Sequence, residues 1–155
     1  MDYEVIYVET SDLLREAFAV RLEVFVKEQG VPEEEELDVY DAEAVHFIAK
    51  ERGSNKVIGT ARLIQKSPEI GKIGRVAVLP DHRGRGVGTQ IMQVIESFAH
   101  ARNLRYLELD AQLQAIPFYE RLGYTASGDI FLDAGIQHRK MTKTLHRAEK
   151  ETSTT

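Results

Sequence analysis

Apolar residues recur at helical spacing in two segments of the chain, and each segment predicts one long helix. The positions are Leu14, Phe18, Leu22 and Phe25 in the first segment, and Val87, Ile91, Ile95 and Phe98 in the second. Thr10 is suited to cap the first helix, which we expect to end at about Val26, before Gly30. The second helix is predicted to run to about Arg102.

Around these helices, runs rich in β-branched and aromatic residues predict seven strands. They are Tyr3–Glu9, Val45–Glu51, Val57–Gln65, Ile73–Leu79, Tyr106–Asp110, Tyr124–Gly128 and Ile136–Leu145. A short helix is predicted over Ala115–Leu122, with Gly123 as its C-terminal glycine. A doubly wound fold alternates strand and helix throughout, whereas here three antiparallel strands follow one another. The order therefore predicts a mixed α/β layer fold with a mostly antiparallel sheet.

The composition is typical of one folded globular domain. The chain has 155 residues, 43% hydrophobic and 29% charged, and we expect one domain over residues 1–146 with a polar tail over 147–155. There is no cysteine, which excludes disulfides, thiolate zinc sites and a cysteine nucleophile. No apolar run exceeds four residues, so we expect no transmembrane helix, no signal peptide, no membrane partner and a cytoplasmic location.

The charge balance argues against nucleic-acid binding. Lys and Arg number 20 against 25 Asp and Glu, for a formal net charge of −5, whereas nucleic-acid-binding domains favour a basic face. The last predicted strand is basic, and we interpret its charges as the protected edge of a sheet. These residues are Arg139, Lys140, Lys143 and Arg147. The five histidines show no ligand spacing, so we expect no metal site.

The most informative segment is a loop that follows a strong predicted strand and opens the second long helix. It consists of Arg83, Gly84, Arg85, Gly86, Val87, Gly88 and Thr89. A helix N-terminus presents unpaired N–H groups, glycines let the backbone approach an anion, and arginines bind phosphate oxygens. Together these features predict a pyrophosphate site. Thr89 and Ile91 stand where a Rossmann fingerprint needs its third glycine, and the chain has no Walker A motif.

Two motifs resemble those of the GCN5-related N-acetyltransferase (GNAT) superfamily. Arg83, Gly86 and Gly88 fit the pattern Arg/Gln-x-x-Gly-x-Gly/Ala of its acetyl-CoA pyrophosphate loop. Ala115–Tyr124 resembles its second motif, Ala-x-x-Phe-Tyr-x-x-x-Gly-Phe/Tyr. The resemblance covers residues 3–145. It implies a GNAT fold, with a central sheet of about seven strands, splayed fourth and fifth strands and about four flanking helices.

Several shorter phrases resemble one small bacterial branch of the family, the ElaA/YjcF-like proteins. They are Glu28–Pro32, Gly59–Leu63, Gly74–Val78 and Ala134–His138. Analogy with the family further suggests a homodimer.

The resemblance implies an N-acetyltransferase that moves the acetyl group of acetyl-CoA to a primary amine by direct attack in a ternary complex. The cofactor-binding residues that it implies are Val76, Ala77 and Val78 in the fourth strand, the loop from Arg83 to Thr89, and Gln112, which replaces a frequent Asn. Tyr119 matches the family's general acid. A phenol suits that role because it carries its proton at neutral pH.

The resemblance does not supply a general base. Many relatives have a Glu early in the fourth strand, where this chain has Lys72 and Arg75. Glu108 and Asp110 share one face of the fifth predicted strand, and we hypothesise that Glu108 is the base. His46 is a second candidate because histidine titrates near neutral pH. A water relay, or an amine that is already neutral, would need no base.

The acceptor and the class of function stay open at this point. Glu33–Glu36 lies where GNAT enzymes build the acceptor side of the cleft, and its carboxylates would attract a cationic amine on a small molecule or a protein. The alternative interpretation is a solvated charged loop. Two other functions compete with the enzyme: a non-catalytic acyl-CoA-binding sensor, and a protein-interaction domain whose vestigial loop binds no coenzyme A.

Overall fold

The computed structural model describes residues Asp2–Leu145, so the predicted tail over 147–155 lies outside the described residues. Seven strands form one sheet in the order β1-β2-β3-β4-β5-β7-β6. They are β1 Tyr3–Tyr7, β2 Val45–Glu51, β3 Val57–Gln65, β4 Ile70–Val78, β5 Tyr106–Gln112, β6 Thr125–Asp133 and β7 Ile136–Thr144. β4 and β5 pair in parallel over Ile70–Ile73, while the β1–β2, β2–β3, β5–β7 and β6–β7 pairs are antiparallel. This confirms the mixed, mostly antiparallel sheet.

Four α-helices accompany the sheet within Asp2–Leu145. They are α1 Ser11–Arg21, α2 Glu33–Glu36, α3 Val87–Ala101 and α4 Ile116–Arg121, with short 3₁₀ turns at Val39–Ala42, Pro80–His82 and Leu113–Ala115. Thr10 caps α1 by accepting a hydrogen bond from the Leu13 N–H. None of these helices is both long and apolar enough to cross a membrane.

α1 does not end at Arg21 but continues directly as a π-helical stretch, Leu22–Glu28. There the Gln29 N–H donates to the Val24 carbonyl at 3.1 Å, a bond that spans five residues. The predicted helix to Val26 is therefore confirmed in position, but its second half is wound more loosely. π-helical turns are rare and are often found at functional sites.

The described residues form two compact units. The first unit comprises residues 2–64 and 74–95. Its core places Ala17, Val20 and Val24 of the first helix against apolar residues of the sheet such as Ile48 and Ala77. β3 lies so close to its neighbours that a Cβ at position 59 would stand 3.3 Å from the Ala77 carbonyl oxygen and 3.2 Å from Ile91. Glycine at that position permits the close approach.

The second unit comprises residues 65–73 and the described chain from Glu96 onward. Its buried apolar residues on β5 and β7 are Leu107, Leu109, Ala111 and Met141. β7 lies between β5 and β6, so the interpretation of its basic residues as a sheet edge is wrong. Lys140 and Lys143 instead pair with carboxylates of the same unit. Arg147 lies outside the described residues.

Two predicted strand boundaries differ from the structure by three residues or more. β4 begins at Ile70 rather than at Ile73, because Ile70–Ile73 pairs with β5. β6 continues to Asp133 rather than ending at Gly128. Its pairing with β7 shifts register between Ser127 and Phe131, and Gly128 takes a φ of 76° within that irregular stretch. Cross-strand pairing thus overrides the local preference of turn-forming residues.

Candidate active site

The predicted phosphate loop lies where the sequence placed it, in the first unit. β4 ends at Val78, a 3₁₀ turn follows, and α3 begins at Val87. Gly84 and Gly86 have φ values of 76° and 80°. Nothing lies within 4 Å of a Cβ built at either glycine, so both are required for the backbone conformation. The loop therefore has no side chain at these two positions, close to the N–H groups at the start of α3, which suits the binding of an anion.

Arg83 forms hydrogen bonds with other residues of the protein. Its Nε donates to the Val78 carbonyl at 2.8 Å. Its two terminal nitrogens donate to both carboxylate oxygens of Glu28, at 2.7 and 2.6 Å. These hydrogen bonds lower the pKa of Glu28. They use three of the five N–H groups of a guanidinium, which leaves two for a further ligand.

Arg85 and the start of the loop contact β1. The Tyr3 hydroxyl lies 2.9 Å from Nδ1 of His82 and 3.5 Å from a terminal nitrogen of Arg85. The Tyr3 and His82 rings meet edge to face, and Tyr3 is buried. Gln90, in the first turn of α3, donates to the Tyr3 carbonyl at 3.0 Å. β1 therefore holds both ends of the loop, a role that its sequence pattern did not indicate.

Val76, Ala77 and Val78, the predicted partners of the pantetheine arm, form the end of β4. Ala77 is buried, and Val76 and Val78 are half-buried. The next residue, Leu79, donates its N–H to the Ile58 carbonyl at 2.8 Å. Arg75, just before them, has a φ of 55°, which places one residue of this strand in the left-handed region.

A buried ionic network fixes the segment that carries the acidic run. Arg21 is 1% exposed and donates to the Glu36 carboxylate at 3.0 Å, to the Glu36 carbonyl at 2.7 Å and to Asp41 at 2.7 Å. Glu36 is itself 2% exposed. The solvated-loop and acceptor-binding interpretations of Glu33–Glu36 therefore do not apply to Glu36, since arginine holds its carboxylate. Glu33, Glu34 and Glu35 are exposed.

Two further arginines complete this network from the sheet. Arg62 on β3 donates to Asp38 at 2.7 Å and to Asp41 at 2.8 Å. Arg75 on β4 lies 2.9 Å from the Glu36 carboxylate and 3.1 Å from that of Asp38. The network, defined here as Arg21, Glu36, Asp38, Asp41, Arg62 and Arg75, contains three cations and three anions. Such balance is what makes buried charges tolerable.

The network sets the protonation of its members and of His46 beside it. Burial acts to raise the pKa of Asp41, but hydrogen bonds from Arg21 and Arg62 outweigh it and the pKa falls to about 2. Burial lowers the pKa of His46. Nε2 of His46 lies 2.9 Å from the Asp41 carbonyl, so it carries the proton, while Nδ1 is buried and has no hydrogen-bond partner within Asp2–Leu145. His46 is thus a neutral imidazole.

Tyr119, the predicted general acid, lies on α4 in the second unit and is buried. Its ring meets those of Phe118 and Tyr124 edge to face, at centroid distances of 5.0 and 6.1 Å. Burial raises the pKa of its hydroxyl to about 12. The side chain therefore keeps its proton across the whole physiological range, as an acid must until it acts.

Tyr124 makes a contrast with Tyr119 in the same aromatic cluster. Its hydroxyl donates to Glu96 at 2.9 Å, and the other oxygen of Glu96 accepts from Lys143 at 2.9 Å. Burial and the Glu96 carboxylate raise the pKa of Tyr124. The Tyr124 hydroxyl is thus committed to a structural hydrogen bond.

Glu108, the hypothesised base, lies on β5 between two lysines. Its carboxylate is 2.5 Å from Nζ of Lys66 and 3.4 Å from Nζ of Lys140. Burial would raise the pKa of Glu108, but the two lysines outweigh burial and the pKa is lowered. Asp110, two residues on, pairs with Lys72 at 3.0 Å. Glu108 is therefore ionised at neutral pH, as a base must be, but its low pKa weakens it as a proton acceptor.

The predicted site residues are divided between the two units. The loop and the end of β4 belong to the first unit, whereas Glu108, Gln112 and Tyr119 belong to the second. Gln112 ends β5 and accepts a hydrogen bond from Gln114. Within the described chain no group of three histidine or acidic side chains is placed to hold a metal ion. The contacts of Tyr3, of Glu28 and within the ionic network could not be predicted from local pattern, because their partners are distant in sequence.

The chain matches the GNAT acetyltransferase family over nearly its whole length. A family model described as an acetyltransferase (GNAT) domain matches residues 9–145. The uncharacterised N-acetyltransferase YjcF of Bacillus subtilis is 41% identical over 141 residues, which cover 90% of this chain and 99% of YjcF.

Solved structures show the same fold. The crystal structure of a candidate N-acetyltransferase from Lactobacillus plantarum aligns with a TM-score of 0.87 and 27% identity, covering 94% of this chain and all of that one. That of ElaA from Escherichia coli aligns with a TM-score of 0.77 and 24% identity, covering 91% of this chain and 97% of ElaA. The resemblance to the ElaA/YjcF-like branch is confirmed.

Proposed function

The chain belongs to the GNAT family of acetyltransferases, and on that premise we propose that it transfers the acetyl group of acetyl-CoA to a primary amine. The observation that carries this proposal is the loop from Arg83 to Thr89. It joins β4 to the N-terminus of α3 with two glycines in the left-handed conformation and two arginines beside them. That combination fits a pyrophosphate better than any other part of the described chain.

In the proposed reaction, acetyl-CoA supplies a thioester carbonyl whose C–S bond breaks as a C–N bond to the amine forms. Backbone N–H groups near Val76–Val78 would stabilise the charge that develops on the carbonyl oxygen. Tyr119 would donate its hydroxyl proton to the departing thiolate. The amine loses one proton to a base, so that the amide and the free thiol are the products.

Glu108 is the base that we would test first. Glu108→Gln removes the proton acceptor but keeps the shape of the side chain, so we expect the rate to fall and the acid limb of the pH profile to disappear. Asp110→Asn is the matched variant, since it neutralises a lysine-paired carboxylate on the same face of β5. Full activity and an unchanged pH profile for Glu108→Gln would remove Glu108 from the mechanism.

The decisive experiment is calorimetric titration of the protein with acetyl-CoA, with ATP and NAD as comparison ligands. We expect saturable binding of acetyl-CoA at one site and no comparable binding of ATP or NAD. An amine panel with detection of the released thiol would then find the acceptor. No binding of acetyl-CoA would withdraw the enzyme assignment.

We further propose a cytoplasmic enzyme, which takes a small-molecule or protein amine as acceptor, needs no nucleic-acid or membrane partner, and forms a homodimer. A cationic acceptor would be attracted by the exposed carboxylates of Glu33, Glu34 and Glu35.

The lysine-paired state of Glu108 favours one rival function, a non-catalytic acyl-CoA sensor. Such a sensor would bind acetyl-CoA and acetylate nothing.

A further inference from the structure

Arg75 has an unusual backbone conformation for its place in the fold. Within Asp2–Leu145, the non-glycine residues with positive φ are Asn55, Arg75, Asn103 and Ala134. Three of them lie in turns between elements, but Arg75 lies inside β4. The left-handed region is unfavourable for an L-residue, and such a conformation persists only where the surrounding contacts stabilise it.

The side chain of Arg75 makes the contacts that can stabilise this conformation. Its Nε lies 2.9 Å from the Glu36 carboxylate, and a terminal nitrogen donates to the Glu36 carbonyl at 2.9 Å and to Asp38 at 3.1 Å. A glycine would adopt this φ without strain, yet the two glycines of this strand, Gly71 and Gly74, both have a φ that is not positive. The residue in this unfavourable conformation is thus an arginine whose side chain is held by ion pairs.

The anchor to which Arg75 binds is itself rigid. Asp38 and Asp41 form a reciprocal capping box around the turn Val39–Ala42. Arg21 from α1 binds Glu36 and Asp41, Arg62 from β3 binds Asp38 and Asp41, and both arginines are buried. The segment from Glu36 to Asp41 is therefore fixed from two other elements before Arg75 contributes.

We propose that Arg75 is a positioning residue for cofactor binding. Its ion pairs with Glu36 and Asp38 hold residue 75 in the left-handed conformation, and that conformation sets the direction in which Val76–Val78 present their backbone N–H and C=O groups. This inference rests on the proposed function, in which the backbone at Val76–Val78 contacts the thioester of acetyl-CoA. It connects the acidic segment to the cofactor through Arg75.

The test compares two ligands. Acetyl-CoA engages both the loop and the end of β4, whereas adenosine 3′-phosphate 5′-diphosphate is the same molecule without the pantetheine arm and engages the loop alone. We expect Arg75→Ala to weaken acetyl-CoA binding about tenfold, equivalent to about 1.4 kcal/mol, and to leave the affinity for the nucleotide unchanged. Arg75→Lys keeps the charge but loses the planar fork, so it should show a smaller loss of the same kind.

Asn55→Ala is the matched control, because it places alanine at a positive φ in the same unit but in a turn. It should leave both affinities unchanged. Equal weakening of both ligands by the Arg75 variants, or no weakening of either, would overturn the inference while wild-type binding upheld the proposed function. A wild-type protein that binds neither ligand would overturn the proposed function and this inference with it.

Discussion

Tyr119 carries its proton at neutral pH, as a general acid must, although burial also makes it a weaker proton donor than an exposed tyrosine. Its ring lies among Phe118 and Tyr124, and the pKa of its hydroxyl rises to about 12. Tyr124 is buried beside it, but its hydroxyl is bound to Glu96. The two tyrosines thus offer a matched pair, one hydroxyl proposed for chemistry and one committed to structure.

We predict that Tyr119→Phe lowers kcat about 10²-fold, the lower end of what general acid catalysis contributes, while the Kd for acetyl-CoA stays unchanged. Steady-state rates with any acetylated amine and calorimetry would measure the two quantities. Tyr124→Phe should cost stability of about 1 kcal/mol for the lost hydrogen bond without a comparable loss in kcat. Undiminished turnover by Tyr119→Phe would contradict the acid role.

At the scale of elements, the Glu28–Arg83 pair joins the end of the π-helical stretch to the phosphate loop. Because Glu28 orients the guanidinium and leaves two N–H groups for phosphate, we predict that Glu28→Gln weakens acetyl-CoA binding several-fold, measured by calorimetry. Glu23→Gln is the control, since Glu23 pairs with Lys27 on the same stretch and both are exposed. Tighter binding by Glu28→Gln would mean that Glu28 competes with phosphate instead.

The ionic network predicts a pH dependence of stability. The pKa of Asp41 is about 2 in the folded chain and 3.8 without its partners, so its contribution is complete above about pH 4 and is lost as pH falls through about 2. The shift corresponds to about 2 kcal/mol of stability.

The measurement is urea unfolding of the wild type and Asp41→Asn between pH 7 and pH 2. The difference in their free energies of unfolding should shrink below about pH 4. Asp12→Asn, which neutralises an exposed partner of Arg15, should show no such trend. A constant difference for Asp41→Asn would show that its ionisation does not contribute.

Periodicity predicted the elements better than it predicted their contacts. The apolar spacing of α1 located the helix but not its π-helical continuation, since Leu22 and Phe25 fit either winding. Arg21 stands among those apolar positions, three residues after Phe18, and this was the available signal for a buried cation. Its acidic partners lie in a stretch with weak local preference, so the network could not be derived from local pattern.

On the scale of the whole molecule, the fold class, the strand count and the position of the loop from Arg83 to Thr89 followed from the sequence, because each depends on local order along the chain. The position of β7 did not, since strand order depends on which partners meet. The prediction of one domain over residues 1–146 stays a prediction, as do the roles of Glu108, Gln112 and Tyr119. Those roles depend on geometry around an acetyl-CoA and an acceptor amine.

The place of β7 also imposes an order of events on folding. β6 ends the strand order and has β7 as its one neighbour, while β7 follows β6 along the chain. Until β7 is in place beside it, β6 therefore has no strand of the sheet to pair with. Ile130 and Leu132 on β6 remain exposed even in the folded protein. During folding, β6 is thus an unpaired strand until β7 joins it, and in that interval it is open to pairing with other chains.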